Sequence, residues 1–329
     1  MTESPEGLTQ RLAPHLDQVE AGLREATRYA EEKIAGPARH LATAGGKRLR
    51  PLLTLLTSNL GSGVNEEVSK AAVSVELTHL ATLYHDDVMD SAVVRRGAPA
   101  AHFLWGNNVA ILTGDLLFAR ASRIVAELGP EAVMMHAETF ERLCLGQLHE
   151  TIGPAEGADP IEHYLDVLAD KTGSLIAASA RYGALFGGAP PEVVDVMEAF
   201  GEKVGIAFQL ADDVIDLSAD TELTGKTPGT DLREGVDTMP VLLLRRHEAA
   251  GTLDAEGREL LTLLDSDLDD DGALAAAVER LRQHAVVEET RLMARTWADD
   301  AIAELAHLPA GEVREVLEEF ALQLVTRLA

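Results

Sequence analysis

The sequence predicts an all-α fold built as a single domain. Aromatic residues are only 4% of the 329, whereas Ala and Leu are abundant. Ala and Leu favour helix, and sheets draw on aromatic and β-branched side chains. Nearly every segment repeats its apolar residues at helical period, and no run alternates apolar and polar residues between hairpin turns.

Taken in order, Leu8 to Ala35 reads as an amphipathic helix, punctuated by Pro37 and then by Gly45-Gly46. Pro51 fits the first turn of a helix reaching about Leu60, where its missing N–H costs nothing. Gly61 and Gly63 end that helix, and a long apolar-rich helix covers Glu66 to about Asp90. A loop with Arg95, Arg96, Gly97 and Pro99 follows. Asn108 to about Leu128 is stopped by Gly129-Pro130. Glu131 to about Ile152, Ile161 to about Phe186, and Pro191 to about Leu217 continue the pattern. Asp220 to Met239 is polar and rich in Gly and Thr, a loop of the length that usually serves function. Pro240 to Ala250, Ala255 to about Leu264, and Gly272 to Ala329 with a break at Leu308-Pro309 complete the chain. No Ser/Gly/Pro linker divides it, so residues 1–329 read as one domain that includes the N-terminal helix, 1–35.

Charge and composition exclude several classes. Lys plus Arg number 28 against 55 Asp plus Glu, a formal charge of −27. Such a surface repels phosphate backbones and anionic lipid, so no nucleic-acid partner is expected. Disorder is excluded because 46% of residues are apolar. Cys144 is the only cysteine, which rules out an internal disulfide and fits a reducing cytoplasm. The N-terminus does not read as a signal peptide, and no apolar run is long enough to span a bilayer.

One motif occurs twice. Asp86-Asp87-Val-Met-Asp90 and Asp212-Asp213-Val-Ile-Asp216 both end long apolar helices. Positions four apart share a helix face, so Asp86 faces with Asp90 and Asp212 with Asp216. Bare carboxylates on one face repel, and a hard divalent cation resolves that conflict. Mg²⁺ takes few carboxylates per ion and completes its shell with water and phosphate oxygens. The bland alternative is a solvated acidic helix end. Against it, His79 and Thr82 extend the first stripe, and Gly205 and Gln209 the second. Polar groups climbing two apolar helices describe a wet, metal-bearing mouth.

Cations are few, so their clusters are informative. Gly45-Gly46-Lys47-Arg48-Leu49-Arg50-Pro51 precedes a helix start, where backbone N–H groups favour an anion. Arg95-Arg96-Gly97 follows the first aspartate motif, and Lys171-Thr172 and Lys226-Thr227 add two more candidates. Arginine suits phosphate because its planar fork donates two bonds to one group. An acidic run from Asp267 mimics a calcium loop, but Val278 stands where a bidentate Glu is required, so a solvated loop with Asp271 helping to cap the next helix is expected.

Together, GGKRLRP (45–51), ELTHLATLYHDDVMD (76–90), RRG (95–97), WGNNVAILTGDLLFARAS (105–122), DKTGSLI (170–176), GIAFQLADDVID (205–216) and GKTPGTDLREG (225–235) resemble the all-trans polyprenyl diphosphate synthases of the farnesyl and geranylgeranyl diphosphate synthase superfamily. The resemblance implies an isoprenoid-synthase-type helical bundle around a deep apolar cavity, usually a homodimer. It implies that Asp86 and Asp90 bind two Mg²⁺ ions and Asp212 a third, with Asp87, Asp213 and Asp216 in support. Arg95, Lys171 and Lys226 would hold an allylic diphosphate. Lys47, Arg50, His79 and Arg96 would hold isopentenyl diphosphate, and Thr172 and Gln209 would line the reacting region. Asp86, Asp90, Asp212, Lys171 and Arg95 are then the expected catalytic groups. Val236 departs from the family, which often has Lys there, and Arg327 is the only cation of the C-terminal tail.

In the family, bulky aromatics four or five positions before the first motif floor the pocket. Here those positions are Ala81 and Thr82, both small, and the motif is plain DDxxD. A hexaprenyl to decaprenyl product, as for a quinone side chain, is therefore expected over a farnesyl or geranylgeranyl product. Tyr84 is expected to turn away from the Thr82–Asp86 stripe and pack on a neighbouring helix. A terpene cyclase would carry an Asn/Asp-Ser-Glu second motif, and a non-catalytic partner subunit would have lost motif residues. Neither pattern is found here.

Overall fold

The computed structural model describes residues 5–218, 229–233 and 235–326. In order the elements are α1 (Pro5–Ala26), α2 (Glu32–Thr43), α3 (Leu49–Thr57) with a 3-10 turn (Ser58–Leu60), and α4 (Glu66–Met89). A two-residue hairpin, β1 (Val94–Arg95) and β2 (Ala98–Pro99), precedes α5 (Ala101–Trp105), α6 (Asn107–Ala126) and α7 (Pro130–Ile152). Then come α8 (Pro160–Leu168), a π-turn (Ala169–Gly173), α9 (Ser174–Phe186) and α10 (Pro191–Ser218). The chain closes with α11 (Thr230–Arg233), α12 (Met239–Ala249), α13 (Ala255–Leu264), α14 (Asp271–Gln283), α15 (Ala285–Glu304), a 3-10 turn (Leu305–His307) and α16 (Glu312–Thr326).

The fold is all-helical, as expected, and its differences from the sequence reading have local causes. The first helix breaks between Ala26 and Glu32, where the Thr27 hydroxyl donates to the Leu23 carbonyl at 2.9 Å. Pro37 lies inside α2 rather than after it. The hairpin at Arg95 was expected to be loop; Arg96 and Gly97 both take positive φ (54° and 75°), the pairing that a tight two-residue turn requires. Ile161–Phe186 is continuous only through the π-turn. Extended backbone at His284 splits the C-terminal run into α14 and α15. The cap of α14 is Asp270, which accepts from Ala273 N at 2.9 Å, rather than Asp271.

Contacts divide the chain into two compact units. The first takes residues 1–143, 174–202 and 302–319, and the second 144–173, 203–301 and 320–329. In the first unit α4 is buried on nearly every face, with Val68, Ala71, Ala72, Val75, Leu77, Leu80 and Tyr84 inside. A helix apolar all round belongs in a core. It packs against α1, α3, α6 and α9. The α3–α9 contact needs Gly183, since a Cβ there would lie 2.0 Å from Thr57 Oγ1 and 2.1 Å from the Thr54 carbonyl. Thr54 and Thr57 bind across it, donating to the Ser179 and Ala180 carbonyls, both at 2.9 Å. Tyr84 behaves as expected: its hydroxyl donates to the Pro37 carbonyl and accepts from Leu41 N.

The second unit has its own core. Leu210, Val214, Leu243, Leu244, Leu260, Ala277, Leu281 and Ala294 are buried in one cluster. α12 packs on α8 and α13, and α13 packs on α14. Among the described residues no helix is long and apolar enough to cross a membrane.

Candidate active site

Each aspartate motif sits at the C-terminal end of its helix, with no basic residue in the last turn. The helix dipole is negative there, so each trio of acids adds to an unfavourable field. The arrangement calls for a cation from outside the helix.

On α4, Asp86 and Asp90 are half-buried, whereas Asp87 is fully buried. Arg95 from β1 donates Nε to Asp87 Oδ1 at 2.6 Å. That bond ties the hairpin to the motif and neutralises the buried member. Asp87 thus turns into the protein, while the pair four residues apart shares the other face.

The cationic segments converge on the same helix. Arg48, with φ of 49°, caps the start of α3. Its Nη1 donates to Glu76 Oε1 at 2.7 Å, its Nε to Glu20 at 2.5 Å, and its Nη2 to the Ala42 carbonyl at 2.7 Å. Arg96 donates Nη1 to the Gly45 carbonyl at 2.6 Å and Nη2 to Glu76 at 3.4 Å. Lys47 is exposed and Arg50 half-buried in the first turn of α3. His79 is half-buried. Desolvation first, and then the charges of Arg50, Arg96 and Arg95, hold its pKa well below the ordinary histidine value. A neutral imidazole among guanidinium groups is what that field dictates. Thr82 donates its hydroxyl back to the His79 carbonyl at 2.8 Å, and Ala81 is buried.

In the second unit, Asp212 and Asp216 are half-buried and Asp213 is buried. Tyr164 Oη donates to Asp213 Oδ2 at 2.9 Å, and Met239 N donates to the same oxygen at 3.3 Å. Burial pushes the Asp213 carboxyl up to about 8 despite these bonds. The middle aspartate of each motif is therefore anchored inward, and the outer two share the open face. Lys171 lies on the π-turn, where Nζ donates to Glu150 Oε2 at 2.5 Å, and Gln147 Nε2 meets the same oxygen at 3.0 Å. Thr172 Oγ1 donates to Gln209 Oε1 at 3.3 Å. The π-turn can approach α10 because both faces are glycine; a Cβ on Gly205 would sit 2.5 Å from Gly173 Cα. π-turns inside helices concentrate at functional sites. Lys226 lies outside the described residues.

The donor set is oxygen only, which suits Mg²⁺ and not a soft metal. Among the described residues no three His, Cys, Asp or Glu side chains form a complete cage. The paired carboxylates match an ion that takes its remaining ligands from phosphate and water.

The sequence reading passed over Glu76, Glu150 and Tyr164. Glu76 stands three residues before His79, so spacing alone puts it on the aspartate stripe. Glu150 and Tyr164 carry no such signal; they reach Lys171 and Asp213 through tertiary packing.

In each unit an aspartate motif presents two carboxylates on one helix face with basic residues on neighbouring elements, groups suited to diphosphate chemistry. The chain belongs to the polyprenyl synthetase family, whose model matches residues 31–281. It is 46% identical over 291 residues to the nonaprenyl diphosphate synthase of Mycobacterium tuberculosis, covering 88% of this chain and 85% of that one. It is 36% identical to heptaprenyl diphosphate synthase component 2 of Geobacillus stearothermophilus, covering 96% and 97%. Among solved structures, the geranylgeranyl pyrophosphate synthase of Corynebacterium glutamicum, complexed with calcium and isoprenyl diphosphate, aligns with a TM-score of 0.85 at 43% identity, covering 100% and 99%. The protein is a trans-prenyltransferase, a polyprenyl diphosphate synthase.

Proposed function

We propose that this enzyme joins an allylic diphosphate to successive isopentenyl diphosphates, with Mg²⁺, to give a hexaprenyl to decaprenyl all-trans product of the quinone side-chain type. The observation that carries the product length is the pair Ala81 and Thr82 before the first motif, where no bulky side chain stands. Similarity to a nonaprenyl synthase supports the same length.

Asp86 and Asp90 would hold two Mg²⁺ ions and Asp212 a third, with Asp87, Asp213 and Asp216 in support. Bound Mg²⁺ supplies neutralisation of the departing diphosphate. Arg95 keeps Nε on Asp87 and offers phosphate its terminal nitrogens; Lys171 and Lys226 add charge to the same leaving group. Stabilising that developing charge is what lets the allylic C–O bond break. Lys47, Arg50, His79 and Arg96 hold isopentenyl diphosphate so that its double bond reaches the allylic carbon. Neutral His79 is a hydrogen-bond donor there and not a competing charge. Thr172 and Gln209 line the region where the new C–C bond forms and a proton is lost to diphosphate. Water-poor walls protect the allylic cation during its lifetime. These groups stand inside one polyprenyl synthetase domain, residues 1–329.

The working form is a homodimer. In the first unit Phe103, Leu104, Ile111, Leu112 and Met134 are exposed apolar side chains, which a second copy would cover. We place the reaction in the cytoplasm, where exposed Cys144 stays reduced.

A second reading, a geranylgeranyl product, is favoured by the likeness to the Corynebacterium glutamicum enzyme. Mass analysis of the products from farnesyl diphosphate and isopentenyl diphosphate decides. Chains of six to ten isoprene units support the proposal, and arrest at four supports the alternative.

A further inference from the structure

Glu76 is only 2% exposed, yet it carries two guanidinium partners. Its Oε1 accepts from Arg48 at 2.7 Å and from Arg96 at 3.4 Å. Those arginines belong to the two separate cationic segments, Gly45–Pro51 and Arg95–Gly97. Both hold left-handed backbone, φ 49° and 54°, which a side chain rarely adopts without being held there. The fit is close on the Arg96 side. A Cβ on Gly46 would stand 2.9 Å from the Arg96 guanidinium carbon, and Arg96 Nη1 closes back on the Gly45 carbonyl at 2.6 Å. Glu76 is also one turn before His79 on α4, so the acid, the imidazole and both segments meet on one helix face.

The charges explain why an acid is needed. Burial disfavours the Arg96 cation first, and Arg48 adds a like charge; Glu76 opposes both effects. Remove its charge and two half-buried guanidiniums repel across the place it occupied. Glu20 offers no substitute, because among the described residues it reaches Arg48 alone.

We propose that Glu76 is a positioning residue for the isopentenyl diphosphate subsite: one carboxylate sets Arg96 and the Gly45–Pro51 segment at fixed separation and so sets affinity for that substrate. The inference rests on the assignment of Arg96 and Arg50 to isopentenyl diphosphate. It has no part in holding the allylic diphosphate.

The test is steady-state kinetics with each substrate varied in turn, on Glu76→Gln, Glu76→Asp, Glu20→Gln and Arg96→Ala, alongside circular dichroism and melting temperature. Glu76→Gln should raise KM for isopentenyl diphosphate roughly tenfold or more, the scale of one charge-assisted bond. KM for the allylic substrate should stay within about twofold, the usual scatter of changes that touch no shared partner. Glu76→Asp keeps the charge but shortens its reach; it should fold and show a smaller rise in the same KM. Glu20→Gln should leave both constants near wild type. If Arg96→Ala raises KM for isopentenyl diphosphate while both Glu76 variants leave it unchanged, or shift both KM values equally, the proposal is overturned and the subsite stands. If Arg96→Ala moves neither KM, the subsite assignment itself fails.

Discussion

Asp86 and Asp87 are neighbours of identical chemistry with opposite surroundings. Asp87 is fully buried against Arg95, whereas Asp86 shares a half-open face with Asp90. Replacing them should separate two kinds of loss. Asp86→Ala should lower kcat on the order of a hundred- to a thousandfold, as for loss of a group that stabilises developing charge, with an unchanged melting curve. Asp87→Ala strands Arg95 and should cost about 3 kcal/mol or more of stability, measured by urea unfolding. Equal effects of the two on both measurements would refute the division of labour. His79 gives a pH signature of its own. Its folded pKa lies below the unfolded value, so below that ordinary range the unfolded chain takes up a proton that the folded chain refuses. His79 therefore costs stability as pH falls below about 6.5, the ordinary histidine value, and the loss is relieved on return to higher pH. His79→Gln should flatten the decline of the urea midpoint between neutral and mildly acidic pH; an unchanged slope would remove His79 as its source.

At the scale of elements, much was legible because it is periodic. The DDVxD helices, the Pro51 start of α3 and the stop at Gly129-Pro130 follow from rules that act within a few residues. What was hidden depends on partners far along the chain. Nothing local to Ile161–Phe186 marks the π-turn at Ala169–Gly173; it is visible only as the packing of Gly173 against Gly205 and of Gly146 against the backbone of Lys171. The hairpin at Arg95 escaped for the same reason, since Arg95 is held by Asp87 of α4 and Arg96 by the Gly45 carbonyl; the break before Glu32 is a local one. In the site, the aspartates and the basic clusters were readable as types and spacings, whereas Glu150 and Tyr164 became visible only through their bonds. The π-turn makes a sharp prediction. Gly205→Ala puts a Cβ 2.5 Å from backbone that has no side chain to swing aside. It should cost about 1–3 kcal/mol, the usual range for overpacking, and reduce turnover by displacing Lys171 and Thr172. Wild-type kinetics in that variant would show that the turn's position is not needed for catalysis.

For the whole molecule, a net charge of −27 is at odds with substrates that are themselves anions. On the proposed function the conflict is resolved locally: carboxylates that recruit Mg²⁺ would invert the sign of the site, and a few cations would complete it. The proposal also makes product length a property of the whole fold, read from the small Ala81 and Thr82 on α4. Ala81→Phe should shorten the chain, read as a lower mass in the product distribution; an unchanged distribution would remove α4 as the ruler. The central claim is that both aspartate motifs work through a bound divalent cation to elongate an allylic diphosphate. Purified chain alone, given farnesyl diphosphate and isopentenyl diphosphate, should yield products longer by whole isoprene units when Mg²⁺ is present. It should yield none after chelation, and Asp86→Asn or Asp212→Asn should slow elongation on the order of a hundred- to a thousandfold. Elongation at the wild-type rate in either variant, or any elongation without a divalent cation, would contradict the account.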